Sequence, residues 1–237
     1  MGCTSCGEMP GIPPEVEAIL KELDEKAPEI INACQNEKTK ILEKKEKLLS
    51  ERDEKVSKAV NEKLEEDKLK ELLLELNLKE IDIEKELIIT EVEKMHKLYE
   101  IGKSLADKLK QVTIDQLKKK LEKAPSLARA ALNTQLETVN NSNSKEFLDS
   151  EFGKPLKTAL EKYGMSQVVL QNVMNEYKEE RKKRREEERT KYNISQNEFP
   201  PDDELDISAE ELYNLIFDEY KDGIKSTLKE KLKVKTE

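Results

Sequence analysis

No tryptophan occurs in the 237 residues, and histidine occurs once, cysteine three times and glycine seven times. Each shortage removes a class of function. One histidine cannot make a histidine pair for zinc, and no nucleophile is placed for His96 to serve as a general base. Three cysteines at uneven spacing make no disulfide framework. Sparse glycine leaves no Gly-x-x-x-x-Gly-Lys, no Gly-x-Gly-x-x-Gly and no Gly-x-Ser-x-Gly. Aromatic residues reach only 4%, so nothing interleaves with the basic residues to stack bases. No apolar run approaches the ~18 residues of a membrane-spanning helix, and no signal-peptide core is present.

What remains is charge. Four residues in ten are Asp, Glu, Lys or Arg, against 35% apolar, and the formal net charge is −9. That balance disfavours nonspecific attraction to nucleic acid. A Lys/Glu/Leu-rich background with few breakers is the composition of long helices. The expected fold class is all-α: long helices forming a coiled coil or elongated helical bundle, then a smaller helical C-terminal region.

The first six residues, Met1-Gly2-Cys3-Thr4-Ser5-Cys6, carry the most specific functional signal. With Met1 as the initiator, its removal exposes Gly2, the acceptor for N-myristoylation, beside Cys3, a thioester palmitoylation candidate. One myristoyl chain binds a membrane weakly; a second makes the anchor durable at about 0.8 kcal/mol per buried CH₂. The first lysine is Lys21, so the second signal is Cys3, Cys6 or both rather than a basic patch. The segment resembles the dually acylated N-termini of heterotrimeric G-protein α subunits and Src-family kinases, which also begin Met-Gly-Cys. The resemblance covers about six residues and implies myristate on Gly2 and palmitate on Cys3. The usual motif has Ser or Thr at position 6, where this chain has Cys6. Cys3-Thr4-Ser5-Cys6 is also formally a Cys-x-x-Cys, but a redox motif needs a strand before it and a helix after. The remaining soft ligands, Cys34 and His96, lack paired spacing, so no metal or cofactor is expected.

Along the chain, residues 1–13 read as a flexible leader. Pro13 and Pro14 suit the first turn of a short helix that Pro28 should end or kink. From Glu29 to Ile101 there is no glycine or proline. One helix of that length would span roughly 110 Å. A continuous helix at least from 29 to 75 is favoured, against a hairpin bending near Asn77. Leu74, Leu78, Ile81, Ile88, Val92, Met95, Tyr99, Ala106 and Leu109 keep a three-four spacing suited to a coiled-coil seam, with Lys85 and Gly102 as the exceptions. Further helices are expected at 113–125 and after Ser126. The run 140–144 of Asn and Ser reads as a linker. The domains are therefore 1–13, 14–140, a linker at 141–144, and 145–237.

The C-terminal region should hold a helix over 145–163 that Gly153 and Pro155 can kink and Gly164 ends, another from Met165 to Tyr192, and a last one from Ala209 to Val234. Ser208 and Glu211 have capping-box spacing. The cluster Arg181-Lys182-Lys183-Arg184-Arg185 is flanked by glutamates and reads as a solvated helix laced by i, i+4 pairs such as Glu179–Lys183 and Glu180–Arg184. The acidic stretch Asp202-Asp203-Glu204-Leu205-Asp206 lacks EF-hand spacing. The expected function is a non-enzymatic scaffold or adaptor on the cytosolic face of a membrane, meeting protein partners or itself through its helices. The alternatives are a soluble coiled-coil cytoskeletal or assembly protein without lipid, and a regulatory module gripping a partner through 145–237. No catalytic residue and no small-molecule substrate is expected.

Overall fold

The computed structural model describes residues 12–194, 205, 207–220 and 223–234. The described residues form eight α-helices and no strand: α1 Pro14–Asn61, α2 Glu66–Lys123, α3 Ser126–Asn141, α4 Ser144–Asp149, α5 Lys154–Lys162, α6 Gln167–Tyr192, α7 Ala209–Leu215 and α8 Ile224–Lys231. The all-α expectation holds, with two long helices followed by shorter ones. The chain divides into two compact units, one from Met1–Glu29 with Leu98–Tyr163, the other from Ile30–Lys97 with Gly164–Glu237. Both long helices contribute to each.

In the first unit, Val16, Ile19, Leu23 and Ala27 of α1 are buried at spacings of three and four, one stripe of an amphipathic helix. They share the core with Leu105, Ala106, Leu109, Ile114 and Leu117 of α2, and with Phe147, Leu148, Leu156 and Leu160 of α4 and α5. Lys108 bonds Glu22 at 2.5 Å, and the Tyr163 hydroxyl donates to Asp24 at 2.7 Å. Pro28 does not end α1. An interior proline costs about 3 kcal/mol, and the full burial of Leu23 and Ala27 offsets it. Nor does a helix open at Thr113: α2 continues to Lys123. The Thr113 hydroxyl turns inward and bonds the Leu109 carbonyl at 2.8 Å, so it caps nothing.

The expected helix over 145–163 is two helices meeting at a corner. Asn143 and Glu146 form a capping box on α4, and Gly153 caps α5 with Pro155 in its first turn. A Cβ on Gly153 would lie 2.1 Å from the Phe147 carbonyl oxygen, so only glycine closes this corner. Gly102, the gap in the seam, is explained similarly: a Cβ there would meet Leu160 at 2.6 Å.

In the second unit the long breaker-free stretch is a hairpin, correcting the continuous helix over 29–75. The bend falls at 62–65, well before Asn77. Leu64 N–H reaches the Ala59 carbonyl at 2.9 Å and Lys63 N–H the Val60 carbonyl at 3.1 Å. These are the two bonds of a Schellman closure. Lys63 takes the left-handed position at φ 51, where glycine is usual. Past the bend, Lys44 meets Glu86 and Arg52 meets Asn77, an antiparallel register. Val56, Ala59, Leu69, Leu73 and Leu76 form an apolar cluster near the closed end, joined by Ile194.

The seam of α2 also differs from a two-stranded coiled coil. Ile81, Ile88, Val92 and Met95 are buried, but Leu74 is 40% exposed. Leu87, Ile88, Ile89, Thr90, Glu91 and Val92 are buried in succession. A helix covered on every side is the centre of a bundle. The last expected helix is likewise two, α7 and α8, with Gly223 at φ +82 ahead of α8. Its stripe survives the break: Leu212, Ile216, Ile224, Leu228 and Leu232 are all buried.

Two substitutions test these closures. Lys63→Gly should raise stability by about 0.5–1 kcal/mol, because it removes the left-handed penalty of a side chain. Gly153→Ala should lower it by about 1–3 kcal/mol through overpacking against backbone. Chemical denaturation of the full chain checks both.

Candidate functional site

The densest chemistry lies where α6 runs alongside the α1–α2 hairpin in the second unit. Past Tyr177 the sequence of α6 is almost wholly charged, and charge is what attaches it. Arg52 of α1 grips Glu188 with two bonds, Nε to Oε1 at 2.8 Å and an η-nitrogen to Oε2 at 2.6 Å. Its other η-nitrogen donates to Asn77 Oδ1 at 2.8 Å. Such a fork fits a carboxylate well. Lys45 lies 3.2 Å from Glu180 and 3.4 Å from Glu84, with its ammonium 5.1 Å above the Tyr177 ring centre. Arg181 pairs with Glu84 and Arg184 with Glu80. Lys191 and the Tyr192 hydroxyl close the far end on Asp53 at 2.6 and 2.7 Å.

The middle of this seam is shielded from solvent, whereas Glu180 and the Lys191–Asp53 pair are exposed. Arg52 and Glu84 are each 2% exposed, Arg181 4% and Glu188 7%. The reading of this stretch as a solvated helix is corrected for its inner face, at Arg181 and Glu188, and holds for the exposed Lys182, Lys183, Glu186 and Glu187. Glu180 reaches Lys45 and Arg184 reaches Glu80, across to other helices. On the outer face the local pattern does appear, as Lys183–Glu187 at 3.8 Å and Arg189–Glu186 at 2.5 Å. Sequence periodicity missed the seam because buried arginine and glutamate look like exposed ones. The available signal was the i, i+4 placement of Glu80 and Glu84 on a helix whose apolar positions already surround them.

Desolvation sets the electrostatics. Burial pushes the Glu84 carboxyl up to about 7, against the downward pull of Arg181 and Lys45, with Glu80 adding repulsion. Burial also raises the Tyr177 phenol. By contrast, the hydrogen bond from Lys191, then that from Tyr192, holds Asp53 below the usual carboxylate range. The seam is incompletely satisfied. Glu84 Oε1 touches Lys45 as an ion contact but makes no hydrogen bond, and Glu80 Oε2 and Arg184 Nε have no hydrogen-bond partner. Beside the Glu84–Arg181 pair lies a cavity of about 230 Å³, walled also by Ile88, Met174, Tyr177 and Ile207.

The remaining sequence candidates disperse. Gly2, Cys3 and Cys6 lie outside the described residues, as does the acidic stretch apart from Leu205. Cys34 is buried in the second unit, and burial raises its thiol. His96 is bound to structure: its Nδ1 lies 2.7 Å from the Ile216 carbonyl and its ring stands edge-on to Tyr220 at 5.7 Å. It thus secures the C-terminal end of α7. Ser208 and Glu211 form the capping box that their spacing indicated. Among the described residues no group of His, Cys, Asp and Glu could hold a metal ion, and no helix is long and apolar enough to cross a membrane. Comparison with protein-family models, with curated proteins and with solved structures gives no match.

The Glu84 carboxyl gives a pH signature. Its folded value, near 7, lies above its ordinary 4.5, so the folded state holds a proton that the unfolded state has released. Its contribution to stability is present below about 4.5 and is lost as pH rises to about 7. Removing the carboxylate by Glu84→Gln should flatten the stability profile between those limits, at a constant cost from leaving Arg181 less compensated. Denaturation midpoints of both proteins from pH 4.5 to 8 check this.

Proposed function

We propose that the protein is a non-enzymatic scaffold or adaptor, held at the cytosolic face of a membrane by acyl chains on Gly2 and Cys3, with Cys6 a further acceptor. The observation that carries this reading is the Met1-Gly2-Cys3 start joined to an all-helical body. A net charge of −9 repels an anionic leaflet, so the anchor rests on acyl chains. Two myristoyl- or palmitoyl-length chains bury enough methylene to hold a soluble body durably. The long helices α1 and α2, 48 and 58 residues, then supply surface for protein partners or a second copy. That surface carries charges of both signs, which favours selective pairing over indiscriminate adhesion.

Metabolic labelling with alkyne-myristate and alkyne-palmitate in the native cell type tests the anchor. Wild type should take up both labels and fractionate with membranes. Gly2→Ala should lose both labels and move to the cytosol, while Cys3→Ser should retain myristate with weakened membrane attachment. Absence of either label from wild type would overturn dual acylation and leave a helical protein without lipid.

A further inference from the structure

We propose that residues 177–192 of α6 form a detachable strap, which leaves the α1–α2 hairpin as a unit while the apolar core of the second unit stays closed. Four observations carry it. First, between Glu180 and Lys191 the attachments to the hairpin are ionic, Glu180 to Lys45, Arg181 to Glu84, Arg184 to Glu80, Glu188 to Arg52 and Lys191 to Asp53, and apolar packing is confined to the two ends, where Tyr177 is buried and Tyr192 lies against the Val56–Leu76 cluster. Buried ion pairs contribute little net stability, because desolvation offsets their attraction. Second, the hairpin has an apolar core of its own. Val56, Ala59, Leu69, Leu73 and Leu76 come from α1 and α2, and Ile194 is the buried contribution from beyond α6.

Third, the seam is under-satisfied and under-filled. Glu80 Oε2, Glu84 Oε1 and Arg184 Nε are buried without hydrogen bonds, and the 230 Å³ cavity adjoins the Glu84–Arg181 pair. Opening admits water to all of these, which returns part of the desolvation cost. Fourth, both surfaces suit water once parted. The hairpin would present Lys45, Arg52, Asn77, Glu80 and Glu84 rather than an apolar patch, and the strap keeps its outer Lys183–Glu187 and Arg189–Glu186 pairs. Release therefore exposes a groove of defined charge order without an aggregation-prone face. A segment held by few apolar contacts belongs to the low-stability end of a fold, where conformational devices are found.

Native-state hydrogen exchange on the full chain tests the strap. Amides of 180–192 should exchange about a hundredfold faster than those of 87–99 in α2, through an opening that leaves the latter protected. Asp53→Asn, at an exposed contact that does not threaten folding, should speed exchange of 185–192 about threefold or more and leave 87–99 unchanged. The triple variant Arg52→Met, Asn77→Leu, Glu188→Leu, which makes the seam apolar, should slow exchange of 180–192 about tenfold. Equal protection of 180–192 and 87–99, with both moving together in Asp53→Asn, would overturn the proposal. So would an apolar seam that leaves strap exchange unaltered.

Discussion

A helix segment buried on every side must be enclosed, and in the second unit that segment is 87–92 of α2. The rest of the unit can be understood as its enclosure. α1 returns along it by way of the Lys63 closure. α6 lies against α2 one to two turns ahead of it, at Glu80 and Glu84. The C-terminal end of α7 is secured by His96. α8 reaches it through Lys225, which pairs with Glu37 and lies 3.6 Å from Glu93. A chain with so little apolar material has one way to surround such a segment fully. It concentrates Leu, Ile and Val on the central helix and lets charged side chains complete the outer layer.

That allocation explains why charge enters the interior. Where α6 has run out of apolar residues, the hairpin meets it with Lys45, Arg52, Glu80 and Glu84. The pairing defines register more than it adds stability, because each carboxylate has a cationic partner at one axial position and a slipped α6 would bury charges unpaired. Tyr177 stands at the boundary between the two modes of attachment. Its ring is buried with the apolar start of α6, and its face receives Lys45. The raised Glu84 carboxyl results first from its burial away from water, with Glu80 one turn away adding repulsion.

The proposed function rests on a different part of the chain. Its proposed acyl acceptors, Gly2, Cys3 and Cys6, fall within the first six positions, apart from the helical body. A scaffold needs an anchor and a surface, and the proposed protein divides these between its terminus and its helices. A strap held by charge would add a second property, a surface that is present only part of the time.

The all-α class was legible from composition alone, since scarce glycine and abundant Lys, Glu and Leu leave helices as the only regular structure that forms readily. The stripes of α1 and of α7 with α8, the capping box at Ser208 and Glu211, and the glycine stop after α5 were legible for the same local reasons. The breaks were not. Lys63 turns left-handed although nothing at that position demands it, while Pro28 remains inside α1 because Leu23 and Ala27, on the inner face just before it, are fully buried. At 145–163 the kink allowed at Gly153 and Pro155 is a full break into two helices, and the single helix expected at 209–234 is also two, because closure against the core decides where a favourable helix stops. Of the ionic seam, only the i, i+4 placement of Glu80 and Glu84 among apolar positions was visible in the sequence. Periodicity reports which positions are apolar, whereas burial of Arg52, Glu84 and Arg181 depends on partners more than 90 residues away in α6 or α2. Sequence by itself determined that this chain is helical and how it begins; tertiary structure decided where the helices end and which charges lie inside, because both are settled by packing between distant segments.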